Sequence, residues 1–152
     1  MQKILKKLVN TLEGKWISQK TIYDFTTKKI DIQNSSIDIS LIKFKNISAN
    51  LAYICEYENI HKKKITYNYI TRNTQLPIIG KIEKADNYIV TEYIFRLRDK
   101  NNLKIQYYDK NVSYTEYTYF IHENFKLSIV IVKKANKYIA ICFISDIKII
   151  KK

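Results

Sequence analysis

The sequence predicts a mainly β fold: a single antiparallel up-and-down barrel of about 8–10 strands, preceded by one α-helix. Three observations predict it. Apolar residues recur at helical spacing only near the N-terminus, at Ile4, Leu5, Leu8, Val9 and Leu12. From Gly14 onward, β-branched and aromatic residues alternate with polar ones in short runs, broken by polar turns roughly every ten residues. No linker, repeat or compositional shift interrupts the 152 residues, so one domain is expected to span 1–152.

The elements follow in order. Residues 2–13 read as an amphipathic helix with Lys3, Lys6 and Lys7 mostly on its polar side, and Gly14 is placed to cap its C-terminus. The barrel is expected over 15–149. Residues 15–25 form a first long strand, and 36–43 alternate clearly. Residues 49–58 fit either a strand or a short helix. Further strands are expected near 64–71, 78–84, 88–96, 103–109, 114–121, 125–133 and 137–149. With only two glycines and one proline, turns must be built from Asn, Asp and Lys, as at Asp86-Asn87, Asn101-Asn102 and Lys110-Asn111.

The net charge of +13 raises the possibility of nucleic-acid binding. Two features oppose it. Ile, Lys, Asn and Tyr, all with AT-rich codons, supply about half of the chain, so lysine fills positions where any polar residue would serve. Arginine, the preferred bidentate reader of phosphates and bases, occurs only at Arg72, Arg96 and Arg98. Cys55 and Cys142 lack metal-site spacing; they fit a disulfide, two free thiols or small buried side chains. His61 and His122 fall in expected turns, and neither metal-ligand clustering nor a nucleophilic triad is readable. No apolar run approaches the ~20 residues of a membrane span, and Lys3, Lys6 and Lys7 interrupt any signal-peptide pattern.

Candidate chemistry lies near the two ends. In the first strand Trp16, Ser18 and Lys20 share one face, and Gln19, Thr21 and Tyr23 the other. A Gly-x-Trp at the start of strand one recurs in lipocalin-like barrels, where the Trp closes one end. Farther on, Glu116, Thr118 and Phe120 share a strand face, as do Lys126 and Ser128, and Asp146 and Lys148. Pointing inward, these faces would give a cavity two acids and two lysines, which burial obliges to pair or to serve a ligand. Pointing outward, they would form surface pairs of little consequence. Spacing alone leaves both open. The 13 tyrosines suit strands as well as an aromatic-lined pocket.

Three segments resemble the S-type (CpcS/CpeS) phycobiliprotein lyases. Trp16-Ile17-Ser18-Gln19-Lys20-Thr21-Ile22-Tyr23 is similar to that family's W-x-S-Q-R-T segment. Glu116, Tyr119, Phe120, Asn124 and Lys126 fall in register with its E-x-x-W-F-x-x-x-N-x-R stretch. Phe143-Ile144-Ser145-Asp146-Ile147-Lys148 resembles its F-x-S-E-I-R ending. The three cover about a third of the chain, and residues 45–110 are only loosely similar. The family's arginines are replaced here by Lys20, Lys126, Ser128 and Lys148, which cannot make a planar bidentate clamp on a carboxylate.

The resemblance implies a lipocalin-like barrel. It would bind an open-chain tetrapyrrole (phycocyanobilin or phycoerythrobilin) and promote thioether attachment to a cysteine of an apo-phycobiliprotein subunit. The bilin would be a transferred substrate, with no cofactor or metal expected. Glu116 and Asp146 would serve the pyrrole nitrogens or activate the end group. Lys20, Lys126 and Lys148 would hold propionates, and Trp16, Tyr23, Tyr119 and Phe120 would form walls. Ser18, Gln19, Asn124 and Ser128 complete the expected ligand-binding set. A homodimer, or a heterodimer with another lyase subunit, is a further expectation. With the AT-rich composition, the resemblance implies a plastid-encoded, red-algal-type protein of the stroma. Two other readings stay open: a non-catalytic carrier of bilin or a lipid-like ligand, and a basic RNA-binding barrel.

Overall fold

A computed structural model describes residues 3–42, 51–58 and 63–150. One helix, α1 (Lys3–Leu12), precedes ten strands: β1 (Gly14–Asp24), β2 (Lys29–Ile42), β3 (Leu51–Tyr57), β4 (Lys63–Thr71), β5 (Ile78–Asp86), β6 (Ile89–Asp99), β7 (Asn102–Asp109), β8 (Val112–His122), β9 (Phe125–Lys134) and β10 (Lys137–Lys148). Each strand pairs antiparallel with its sequence neighbour, and β1 also pairs with β10, closing a ten-stranded barrel. Closure leaves no unpaired sheet edge. The ambiguous stretch 49–58 is strand β3 over Leu51–Tyr57; its side chains are covered on both faces, which blurs period-2 alternation. His61 and the ends of some expected elements, Gln2, Lys43, Ala49 and Asn50, lie outside the described residues.

The helix stoppers one end. Leu5, Leu8, Val9 and Leu12 are buried against Trp16, Ile39, Ile78, Phe95, Leu97 and Leu103. The Trp16 indole N–H donates to the Leu12 carbonyl at 2.8 Å, satisfying one of the carbonyls that a helix C-terminus leaves free. Gly14 differs from the expected cap. Its φ of 135° lies outside the left-handed helical geometry of a C-cap, and it is the first residue of β1, turning the chain from helix into sheet. Gly80, the other glycine, is required by space: a Cβ there would lie 2.1 Å from the Ile70 carbonyl oxygen and 2.9 Å from the Phe95 ring.

At the end away from α1, the hairpins turn without glycine. Asn87 (φ 57°) and Lys110 (φ 55°) supply positive φ at two expected turns, and Lys28, Ala135 and Asn136 do so at two others. The β6–β7 turn, at the helix end, is different. Asn102 already belongs to β7, and the Asp99 carboxylate accepts from the Asn101 backbone N–H at 2.8 Å and the Asn102 side chain at 2.7 Å. No helix among the described residues is long and apolar enough to cross a membrane.

Candidate functional site

The barrel encloses a cavity of about 780 Å³. That is ample for a ligand of several rings. Register decides what faces it. Trp16, Ser18 and Lys20 point inward from β1. Ser18 pairs with Asp146, Asp146 with Lys126, and Lys126 with Phe120, giving one row across β1, β10, β9 and β8 that is polar on the first three. The next row, toward the hairpin end, is Lys20, Ile144, Ser128 and Thr118. The row beyond holds Cys142, Val130 and Glu116. The alternative left open by spacing is thereby decided: Glu116, Asp146 and Lys126 face the interior.

The geometry separates the two acids. Glu116 accepts from the Tyr114 hydroxyl at 3.1 Å and the Thr118 hydroxyl at 3.5 Å, and Thr118 also bonds Ser128 at 3.0 Å. The Glu116 side chain is part-buried, and the space it reaches is the cavity. Burial raises its pKa above the ordinary carboxylate value, opposed by the Tyr114 hydrogen bond and the charge of Lys126. Asp146 is 7% exposed and lies 3.8 Å from the Lys126 ammonium, which sits 5.1 Å from the Trp16 ring centroid. Lys148 also approaches that ring, 5.0 Å from the centroid, and its ammonium donates to the Thr11 carbonyl of α1.

The opposite wall is aromatic. Tyr53 stacks on Tyr67 with centroids 5.2 Å apart, and Tyr69 lies 5.8 Å from Tyr53 and 5.3 Å from Phe95. The Tyr53 and Tyr69 hydroxyls share a hydrogen bond of 3.1 Å. Burial raises the phenol pKa of both and pushes that of Tyr57 to about 12, so the cavity's hydroxyls keep their protons at neutral pH. Cys55 also lines the cavity, and burial pushes its thiol to about 12. Cys55 and Cys142 are both free and buried, so no disulfide joins them.

Of the expected site residues, Trp16, Ser18, Lys20, Glu116, Phe120, Lys126, Ser128 and Asp146 line the cavity together. Others do not. Gln19 and Tyr23 alternate with the inward residues of β1; Gln19 is exposed, and Tyr23 packs edge-on to Phe25 with centroids 4.9 Å apart. Tyr119, 38% exposed, lies outside for the same reason, between inward Thr118 and Phe120. Asn124 sits in the β8–β9 turn, where its carbonyl receives the Lys148 backbone N–H at 2.9 Å. Lys148, the register partner of Trp16, lies with Asn124 in a separate groove beside α1.

Sequence reasoning missed the far wall: Tyr53, Tyr57, Tyr67, Tyr69, Tyr93 and Lys84. Lys84 carried a readable signal. In β5 the buried face runs Ile78, Gly80, Ile82, and Lys84 is next on it.

Comparison with known proteins agrees with this architecture. The family described as CpeS-like protein matches residues 5–74. The solved S-type phycobiliprotein lyase CPES from Guillardia theta superposes with a TM-score of 0.71 over 100% of this chain and 99% of that one, at 13% identity; at that identity the likeness is one of fold. The chromophore lyase CpcS/CpeS homolog of the red alga Porphyra purpurea is 27% identical over 143 residues, 90% of this chain and 93% of that protein. The homolog of the same name from Gracilaria tenuistipitata var. liui is 36% identical over 148 residues, 95% of this chain and 97% of that protein. Matched from end to end at that identity, the chain belongs to the CpcS/CpeS chromophore lyase family.

Proposed function

We propose that the barrel binds an open-chain tetrapyrrole and promotes its thioether attachment to a cysteine of an apo-phycobiliprotein subunit. The observation that carries this reading is Glu116. It is a part-buried carboxyl with raised pKa, held by Tyr114 and Thr118, and it faces an aromatic-walled cavity large enough for a linear tetrapyrrole. Such a carboxyl can hydrogen-bond pyrrole nitrogens and favour their protonated state. Protonation withdraws electrons from the unsaturated end group and makes it a better electrophile. The acceptor's thiolate then forms a carbon–sulfur bond at that group while a proton joins the same end ring. The reaction is a net addition: nothing leaves and nothing is oxidised.

The other residues supply position. Trp16, Phe120 and the tyrosine wall exclude water from the rings. Asp146 is a second acceptor for pyrrole N–H groups, set in place by Lys126. Lys20 offers a cation to the propionates. The buried Cys55 thiol, held near 12, is a poor nucleophile, so the pigment remains available to the acceptor. Red-algal relatives support a plastid as the site of action, and we assign the protein to the stroma.

Trp16 is the only tryptophan and lines the cavity. Bilin entry should therefore quench its emission in step with a shift in visible absorbance. Addition of an apo-subunit should move the pigment to the acceptor. A saturable quench with no covalent transfer would support a carrier instead, and no quench with either phycocyanobilin or phycoerythrobilin would contradict bilin binding.

A further inference from the structure

Two lysines around Trp16 are already engaged: Lys126, which lines the cavity, by Asp146 and the Trp16 ring, and Lys148, outside it, by the Thr11 carbonyl and the same ring. Lys20 and Lys84 also line the cavity, yet among the described residues neither has a carboxylate within ion-pair distance. The nearest acid on the same face of β5, Asp86, is taken by Lys63 at 2.9 Å. Lys84 is half-buried beside Tyr67, its register partner on β4, and close enough to Lys20 to feel its charge. Burial and the neighbouring lysines hold the Lys84 ammonium below its ordinary pKa, while Asp86 and Glu116 only partly offset this. Two part-buried cations lining one cavity with no ion-pair partner among the described residues favour an anion that joins them.

Position adds direction. Both residues lie on the hairpin side of their strands, away from α1. Lys20 pairs with Gln33, an exposed residue that also lines the cavity and marks where it meets solvent. The deep end beside Trp16 already has its own ion pair.

We propose that Lys20 and Lys84 form a two-cation subsite that receives the paired carboxylates of the tetrapyrrole, so that the ligand lies with its propionates toward the hairpin end and its rings against the tyrosine wall. This rests on the bilin reading above and adds to it Lys84, from the stretch of chain with little family likeness, and an orientation. Esterified propionates should lose the subsite while keeping the ring contacts.

The test compares a bilin and its dimethyl ester by Trp16 quenching, in the wild-type protein and in Lys84→Met, Lys20→Met and Lys133→Met. Lys133, on the outer face over Tyr138, controls for the general field of a +13 chain. The wild type should bind the diacid about tenfold or more tighter than the diester. Lys84→Met and Lys20→Met should each remove most of that preference by weakening the diacid alone, with unchanged thermal unfolding, and Lys133→Met should keep it. Equal binding of acid and ester by the wild type, or an intact preference in Lys84→Met, would overturn the subsite and leave bilin binding standing. Failure of the wild type to bind either form would overturn both.

Discussion

The Tyr114 hydroxyl donates to the Glu116 carboxyl at 3.1 Å across one face of β8, and burial raises the pKa of both groups, so the phenol keeps its proton at neutral pH. A second hydroxyl, Thr118, reaches the other carboxyl oxygen and ties it to Ser128 on β9. The acid is thereby fixed in direction while its remaining capacity faces the cavity.

Glu116→Gln keeps this hydrogen-bond geometry and removes the charge. A carboxyl whose pKa is higher folded than unfolded favours the folded state most when protonated. Its contribution is whole below the unfolded value and is lost as pH rises from there through the raised folded value. The variant should therefore lose that decline and, at neutral pH, melt a few degrees higher than the wild type. Its rate of pigment transfer should fall by about tenfold or more. A melting profile against pH, run beside a transfer assay, checks both; a variant less stable yet fully active would contradict the role.

Lys126→Arg restores a planar fork where the present ammonium acts as a point charge 3.8 Å from Asp146. Bilin affinity, read by Trp16 quenching, should rise roughly threefold to tenfold. Lys126→Met should lower it, and an unchanged affinity in both variants would remove Lys126 from the ligand's surroundings.

Trp16→Phe removes the hydrogen bond to the Leu12 carbonyl and loosens the helix on the barrel end. The loss should be about 1–3 kcal/mol of unfolding free energy, measured by urea denaturation with circular dichroism. A midpoint equal to that of the wild type would show that α1 is held by its leucines alone.

Gly80→Ala should be more damaging than its one methyl group suggests, because the nearest obstacle is the Ile70 backbone oxygen rather than a movable side chain. A cost of at least about 2 kcal/mol is expected by the same urea method. A neutral effect would mean that β4 and β5 can separate freely at this point.

Cys55 should not become pigmented. With its thiol held near 12, less than about one part in ten thousand is thiolate at pH 7.5. After incubation with bilin and denaturation, the barrel itself should show no zinc-induced fluorescence. A labelled band that disappears in Cys55→Ser would contradict this.

The fold was legible because nearly every strand keeps one covered face, so alternation from β1 to β10 survives in the sequence. The site was legible in part. The motif segments place neighbouring residues side by side, whereas a strand sends neighbours to opposite sides. Trp16, Ser18 and Lys20 reach the cavity, while Gln19 and Tyr23 between and beyond them do not. Tyr119 follows the same rule next to Phe120. The tyrosine wall on β3 and β4 was hidden because tyrosine is a common strand former in this chain, so its placement depends on register with distant strands. Lys84 was hidden among 24 lysines until the burial of Ile78, Gly80 and Ile82 fixed the face it shares.

Transfer of pigment to an apo-phycobiliprotein subunit decides whether the barrel acts as a lyase. Purified protein is mixed with phycocyanobilin or phycoerythrobilin, the apo-subunit is added, and covalent pigment is read by zinc fluorescence on a denaturing gel. Lyase activity gives a fluorescent acceptor band whose yield exceeds the spontaneous reaction and drops with Glu116→Gln. An acceptor band no stronger than that formed without the protein, with both pigments and with bilin demonstrably bound, would contradict it.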